Sequence, residues 1–547
     1  MKNRHSLRLP LLCAWNLLVA AVTGCSPDTV PDAEDIASPV DVSTTREALV
    51  QVDLRTYGAV CDGLRDERAA FQKAFTALST AGGGTLLIPP GDCRVLTTAG
   101  VPWLNIPSNV TLRGVAGASR ISMDADTTSN EAYRSLFSIG GKNVTLEDLE
   151  LVRTATCSAM LIRLPPTSNF TMRRVTVDGG LTDGSIVAHG LIFLPGAADA
   201  IHSNLRLEQS TIRNTTYGWF QPGAYKTRVS GIVVTQSTFQ GNFADDLEFN
   251  SPEGVMTDIE VSHSTFRDNR STVNHAGFGI GLANVQRANL LNNTFEGYRF
   301  EPIHIEDRSR EITVAGNTFA RSYTESTSWS SHVFIINDSH DITVRGNVFD
   351  MGANTHPIHA IFAGHGGSGI NPSNILIEQN TFVPGTYGKK LFAMGVDGVV
   401  MRDNRVYVSD LPWVSQKNGV GPAQRDRSNG EQGSTDGRTL TLAGVTYAKG
   451  VGVHAASELV IDLVGGGYSR FKSDIGVDDE TASAGSVVFS VYADGELLFT
   501  SGTMKGASAT RSVDVSVEGR QQLRLVVGDA GDGGFCDHAD WADARLE

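Results

Sequence analysis

From about residue 200 to 410 the chain repeats one phrase of alternating apolar and polar positions, as in Ile312-Thr313-Val314-Ala315-Gly316-Asn317-Thr318-Phe319. Its clearest copies close at Thr238-Phe239, Thr265-Phe266, Thr294-Phe295, Val348-Phe349 and Thr381-Phe382, with weaker ones at Thr211-Ile212 and Arg405-Val406. Alternation such as Ile342-Thr343-Val344 places one face in a core and the other outward. A pattern returning every twenty to thirty-odd residues is a solenoid signature. The residue before each closing pair is Ser210, Ser237 or Ser264 in the early copies and Asn293, Asn317, Asn347, Asn380 or Asn404 in the later ones. Asn tolerates the left-handed backbone of a sharp turn, and identical side chains stacked coil on coil can hydrogen-bond as a ladder. The pattern therefore predicts a parallel β-helix, each coil about 4.8 Å from the last. A leucine-rich solenoid would need Leu at fixed spacing and helical connections, and neither is present.

Coils open near Val110, Val144, Phe170, Leu205, Ile232, Ile259, Ala288, Ile312, Ile342, Ile375 and Val399. Eleven coils would make a rod of about 50 Å, a long face suited to a polymer. Upstream, Phe71, Ala74, Phe75 and Leu78 recur at helical spacing between Asp66 and Thr80, and Gly82-Gly83-Gly84 ends the run. A short amphipathic helix here would plug the open rim of coil one, an edge otherwise free to pair with other chains.

The succession Gly58-Ala59-Val60-Cys61-Asp62-Gly63, helix, triple glycine and Ile88-Pro89-Pro90-Gly91 resembles the N-terminal cap of the pectate-lyase-like superfamily of right-handed parallel β-helices, which includes polygalacturonase-like glycosidases and lyases. The resemblance covers roughly Val52 to Asp410. Cys93 stands where that pattern usually has an aromatic residue.

The rest of the chain changes the picture in stages. Lys2, Arg4 and Arg8, an apolar run from Leu9 to Val22 and then Val22-Thr23-Gly24-Cys25 read as an export signal. This segment resembles a bacterial lipoprotein signal, which implies lipidation at Cys25, with ordinary cleavage as the alternative. Residues 26–50, acidic and rich in Pro, Ser and Thr, read as a disordered tether holding the folded part away from the membrane. The expected localisation is an exported lipoprotein at the cell surface or outer membrane, touching membrane only through its anchor. A formal charge of -15 argues against a nucleic-acid partner. Export permits disulfides, and Cys61 and Cys93, flanking the expected helix, are the best-placed pair, with free thiols the alternative.

Candidate chemistry lies in the strands that precede the repeated phrase. Leu247-Glu248-Phe249-Asn250 aligns with Ile303-His304-Ile305-Glu306, and the coil between holds Phe278-Gly279-Ile280-Gly281-Leu282. Alternation is expected to point Leu247, Phe249, Phe278, Ile280, Ile303 and Ile305 inward, and Asp246, Glu248, Asn250, Gly279, Gly281, His304 and Glu306 outward. The predicted result is a glycine-floored trough between one wall of Asp245, Asp246 and Glu248 and another of His304, Glu306 and Asp307. His275 enters just before the glycine coil, and Tyr217 and Trp219 stand one coil before the acidic wall. Such a site suits a sugar ring.

Glycoside hydrolysis needs one protonated and one ionised carboxyl. Asp246 and Glu248, two apart on a strand, would stand roughly 6.5 to 7 Å apart, and Glu248 and Glu306, two coils apart, roughly 9 to 10 Å, both near the separation for inversion. An Asp pair followed one coil later by a His in a glycine-rich segment, here Asp245-Asp246 and His275-Ala276-Gly277-Phe278-Gly279-Ile280-Gly281, resembles the polygalacturonase-like family. The family's earlier Asn-Thr-Asp and later Arg-Ile-Lys are absent. A lyase would instead need a base at the sugar C5 proton and Ca²⁺ or an Arg to neutralise a uronate, with Asp245, Asp246 and Glu248 available to hold Ca²⁺ and Arg299 or Arg308 as base or clamp.

After Asp410 the repeat stops, and short alternating strands between glycine turns read as an antiparallel β-sandwich over 411–547. Tyr447-Ala448-Lys449-Gly450-Val451-Gly452-Val453-His454-Ala455 and Asp537-His538-Ala539-Asp540-Trp541-Ala542-Asp543 closely resemble the NPCBM module, a carbohydrate-binding domain appended to glycoside hydrolases. The resemblance implies a lectin-like sandwich for galactose-type or related sugars that often carries Ca²⁺. Asp529, Asp532, Asp537 and Asp540 have the oxygens such an ion needs, and Trp541 and His454 are the candidates to meet the sugar.

The combined expectation is an all-β chain with an N-terminal capping helix, in which residues 51–410 cleave a polysaccharide by inverting hydrolysis without a cofactor while the sandwich holds the polymer. A lyase and a noncatalytic glycan-binding adhesin are the alternatives.

Overall fold

A computed structural model describes residues 50–547 apart from 131–132, 197–199, 224–225, 227, 252–253, 273–275, 300, 322–329, 351–357, 368, 384–390, 394–395 and 465–467. Lipidation at Cys25, the tether and His275 therefore lie outside the described residues. No helix among the described residues is long and apolar enough to cross a membrane.

The repeat folds as a three-sided parallel β-helix. In one coil Val255–Ser262 is followed by a tight corner, the short strand Thr265–Arg267, a loop of variable length and the strand Ile280–Ala283, after which Val285–Leu291 starts the next coil. The expected coil openings stack in one register: Leu205, Ile232, Ile259, Ala288, Ile312, Ile342, Ile375 and Val399 are successive partners on parallel strands. The closing Phe residues stack from Phe239 to Phe382 with ring centroids 4.9, 4.9, 5.1, 5.0 and 5.3 Å apart. Each coil thus buries one aromatic ring on the next.

The corner works differently from the sequence expectation. The Asn column, buried from Asn293 to Asn380, is not left-handed; the left-handed residue is the one before each Asn, at Asn292, Gly316, Gly346, Gln379 and Asp403. Freed from the turn, each Asn bonds. Asn293 donates from its backbone N–H and its side-chain amide to Asn317 Oδ1 at 2.8 and 3.0 Å, and Asn317, Asn347 and Asn380 repeat this toward Asn347, Asn380 and Asn404. A second left-handed column precedes the coil openings, where Asn143, Asn169 and Asn204 form an exposed amide ladder that begins at Asn109.

The helix Arg68–Thr80 caps the first coil, burying Ala70, Phe71, Ala74, Phe75 and Leu78, with Phe71 against Phe137 at 6.4 Å. A disulfide joins Cys61 to Cys93 beside it, and Cys157 and Cys536 are free thiols. At the other end Val406–Tyr407 leaves the parallel stack and pairs antiparallel with His538–Leu546, the last strand of the sandwich. The sandwich core, including Val453, Phe471, Phe489, Leu525 and Trp541, is its own cluster between two antiparallel sheets.

Candidate active site

The strands before the repeated phrase form an eleven-stranded parallel face. Its register settles which side chains share a row. Leu191, Trp219, Leu247, Ile280, Ile303 and Val333 form one inward row. The next row outward reads Ile192, Phe220, Glu248, Gly281, His304, Phe334 and Phe362. Trp219 accordingly packs in the core against Phe193 and Phe249 and is not a sugar platform.

Strand alternation fails at the corners that lead into this face, because Asp246 and Phe278 precede the strands that begin at Leu247 and Ile280. Asp246 turns inward and is fully buried. Its carboxyl accepts from Asn242 Nδ2 at 2.6 Å and from the buried Tyr298 hydroxyl, tying together loops two coils apart. Burial raises it to about 7, with those hydrogen bonds opposing. It holds the fold and cannot reach a substrate. Phe278 does the reverse, leaving the expected core to lie on the outer face with its ring 4.3 Å from that of His304. Gly279 also leaves the expected floor, since a Cβ there would press on the Phe295 ring and the Pro302 carbonyl.

Asp245 is buried at the trough edge, where one oxygen accepts the Gly277 and Phe278 N–H groups at 2.6 and 2.8 Å. Burial raises it to about 6 against those bonds. Glu248 folds over Gly281, whose missing Cβ leaves room for its carboxyl. Burial pushes Glu248 well above the ordinary glutamate range, and the neighbouring Asp245 adds to the shift because two like charges so close resist joint ionisation. Glu248 is thereby driven toward its protonated form.

Opposite it, His304 Nδ1 lies 3.2 Å from Glu301 Oε2, and Nε2 lies 3.5 Å from Glu306 Oε2, an ion-pair distance. Burial disfavours the imidazolium, yet the two carboxylates overcome burial and hold it up to about 10. Burial would likewise raise Glu306, but His304 keeps it below its usual range and ionised. Glu306 pairs in register with Ala283 and Asn250, not with Glu248. The two glutamates are thus diagonal, and their α-carbons stand about 12 Å apart rather than the 9 to 10 Å expected from coil spacing alone. Asp307, at the following corner, is raised by burial and by Glu306, and accepts from Asn337 Nδ2 at 3.1 Å.

Tyr217 is half-buried beside this centre. It stacks on Phe220 at 4.0 Å, both rings adjoin His189, and burial, Asp245 and Glu248 all raise its hydroxyl. Arg299 is partly exposed directly after the buried Tyr298. Glu301 and Tyr298 escape the sequence reading because they lie in a variable loop with no periodicity. Only their partners His304 and Asp246 give them meaning.

In the sandwich, Trp541 is fully buried against Phe471 and Phe489 and is core, not sugar contact. His454 is buried too, with its ring 5.3 Å from His538. The four predicted metal ligands do not converge. Asp529, Asp532 and His454 all act on Asp537, which is buried with Oδ2 unpartnered, a donor set that fits a hard cation. Asp540 faces Asp478 and Glu480 instead; burial and those carboxyls push it well above the ordinary aspartate range.

Residues 195–319 match the right-handed β-helix region, and residues 404–547 match the NPCBM/NEW2 domain. A Renibacterium salmoninarum protein provisionally named an endo-alpha-N-acetylgalactosaminidase is 42% identical over 141 residues, 26% of this chain and 9% of that protein. Mannuronan C5-epimerase AlgE6 of Azotobacter vinelandii is 26% identical over 234 residues, 42% of this chain and 22% of its own. Alpha-1,3-galactosidase B of Akkermansia muciniphila is 33% identical over 142 residues, 25% of this chain and 17% of its own. The chain thus spans less than a quarter of the length of each. Among solved structures, the CBM51 module of Clostridium perfringens GH95 in complex with methyl-galactose is 41% identical, covering 26% of this chain and 99% of that one at a TM-score of 0.25. The AlgE4 A-module of Azotobacter vinelandii is 19% identical, covering 65% and 95% at a TM-score of 0.44. This chain is a right-handed parallel β-helix carrying a C-terminal NPCBM domain.

Proposed function

We propose that the protein is an exported glycoside hydrolase whose β-helix cleaves a glycan by inversion and whose sandwich holds that glycan. One observation carries this reading: two glutamates of one trough are driven in opposite directions, Glu248 toward the protonated form and Glu306 toward the ionised form. That polarity is the division of labour glycoside hydrolysis needs. Glu248 gives its proton to the leaving oxygen, Glu306 takes one from the attacking water, and His304, held by Glu301, keeps Glu306 ionised. Asp245 orients Glu248, and Tyr217 on Phe220 offers the sugar a ring face. The diagonal placement of the glutamates, with α-carbons about 12 Å apart, favours the wider carboxyl spacing of inversion over the closer approach that retention requires. The NPCBM domain supports delivery to a glycan, with Asp529, Asp532 and Asp537 the residues that would hold Ca²⁺. The lipoprotein-like signal supports anchoring at the surface through Cys25.

The reading is tested by reducing-end release from a panel of glycans with wild type and Glu248→Gln, with NMR of the first-formed anomer. Product of inverted configuration from wild type alone is expected. Unsaturated ends lost with chelator would replace it with a lyase, and no product from any glycan would leave an adhesin.

A second reading has a specific observation behind it. His304 is a buried cation in the same row as Glu248, and Tyr217 stands beside them, groups able to neutralise a uronate and exchange its C5 proton; the β-helix similarity to proteins named mannuronan C5-epimerases supports this chemistry. A C5-inverted uronate without chain cleavage would establish it.

A further inference from the structure

The sandwich holds a second histidine cluster that the hydrolytic site does not use. His454 and His538 are direct partners on antiparallel strands. Each ring has its Nδ1 engaged by a different acceptor. His454 Nδ1 lies 2.8 Å from the Ala455 carbonyl, and His538 Nδ1 lies 2.7 Å from Glu480 Oε1. A ring nitrogen beside a carbonyl or carboxylate oxygen carries the proton and donates it, so His454 keeps a lone pair on Nε2, whereas His538 has a carboxylate at each nitrogen and would release its Nε2 proton to an incoming ion. Glu431 brings Oε1 to 3.1 Å from His538 Nε2. One ligand atom each from Glu431, His454 and His538 falls within 4.8 Å of the others.

We propose that Glu431, His454 and His538 form a site for a divalent transition metal of the Zn²⁺ class, with Glu480 and the Ala455 carbonyl orienting the two imidazoles. Two imidazoles and one carboxylate suit a borderline-soft ion and not Ca²⁺, which takes oxygen ligands. A carboxylate or carbonyl behind each ligating imidazole is the outer layer that fixes tautomer and ring angle in protein metal sites. The donors also have an approach from solvent. The Glu431 side chain is 48% exposed, and the backbone beside the His454 ring is Gly534, where even a Cβ would stand 3.5 Å from His454 Cε1. An ion here would keep a coordination position for water or a sugar hydroxyl. None of its three ligands is a predicted Ca²⁺ ligand, although Asp537 adjoins both His454 and His538, and the site is independent of the reaction on the β-helix.

The test uses the whole protein, stripped with chelator and titrated with Co²⁺ followed by Zn²⁺. One Co²⁺ per chain is expected, seen as visible absorption of a low-coordinate ion, displaced by Zn²⁺ and not by excess Ca²⁺. Glu431→Gln and His538→Gln should each weaken binding at least tenfold, and Glu480→Gln, which touches no metal, by roughly tenfold through the orientation of His538. Circular dichroism and thermal melting check each fold, and Glu431→Gln decides should the His538 variant unfold, since Glu431 is largely at the surface. Absence of a Co²⁺ spectrum, displacement by Ca²⁺ as readily as by Zn²⁺, or unchanged affinity in a folded Glu431→Gln variant would each overturn the proposal.

Discussion

The molecule contains the same triplet twice, a histidine between two glutamates. In the β-helix it is Glu301, His304 and Glu306; in the sandwich it is Glu480, His538 and Glu431. What differs is the fourth group. His304 is enclosed by the Phe278 and Phe334 rings and opposes Glu248 across Gly281; its positive charge holds Glu306 ionised, while burial and Asp245 push Glu248 the other way. His538 is less buried and faces another imidazole, so its outer nitrogen can trade a proton for a metal. Under the two proposals a similar local arrangement would serve proton transfer in one place and ion binding in the other, according to what lies across from it.

The largest expected effect separates the two at once. Glu248→Gln should lower turnover by about 10² to 10⁴, measured as reducing ends, while Co²⁺ binding to the sandwich is unchanged. Loss of both would show that the regions are not independent. Tyr298→Phe comes next, because it removes the donor to buried Asp246. It should cost about 1 to 3 kcal/mol in urea unfolding, with turnover of the folded fraction retained; selective loss of turnover would return Asp246 to the chemistry.

The charge of His304 predicts a pH effect of more modest size. In wild type the rate is expected to rise as Glu306 ionises, below the ordinary glutamate range, and to fall as Glu248 ionises, well above it. His304→Gln removes the cation, so the acid limb should move to higher pH, read from kcat/KM against pH. The same charge affects stability: His304 is raised from 6.5 to about 10, so its contribution is complete below about pH 6.5 and is lost as pH rises toward 10. Thermal melting of wild type and variant should converge over that range.

The smallest expected effect is a gain. Asp540 is held well above the ordinary aspartate range in the folded state, so stability falls as pH rises above that range. Asp540→Asn should remove this slope and raise stability at pH 7 by roughly 1 kcal/mol, the usual size of a single-site change. A loss instead would mean that the carboxylate is held by a cation.

Much of the fold was legible because a stacked coil imposes its own period. Ile312, Ile342 and Ile375 face the same neighbours coil after coil, so their pattern repeats in the chain. The Asn column was legible as a ladder but misread as the turn itself. Which of two adjacent residues is left-handed depends on where the side chain must point, and Asn317 points inward to bond Leu290 and Asn347 while Gly316 makes the turn.

The site was legible only where alternation holds. Glu248, His304 and Glu306 lie within strands, and the period of two assigned them to the outer face. Asp246, Phe278 and Trp219 were misassigned for two reasons. Asp246 and Phe278 precede the first strand residue, where the backbone turns and parity is lost; Trp219 was judged by residue type although its row is inward.

By itself, then, the sequence determined the coil, its register, the cap and the change to a sandwich after the repeat ends, because each depends on short-range periodicity. Only tertiary structure decided that Glu301 backs His304, that Tyr298 binds Asp246 and that Glu431 meets two histidines. Those partners come from loops of unequal length, and a loop's contacts follow from where its ends are held in space, which no local pattern records.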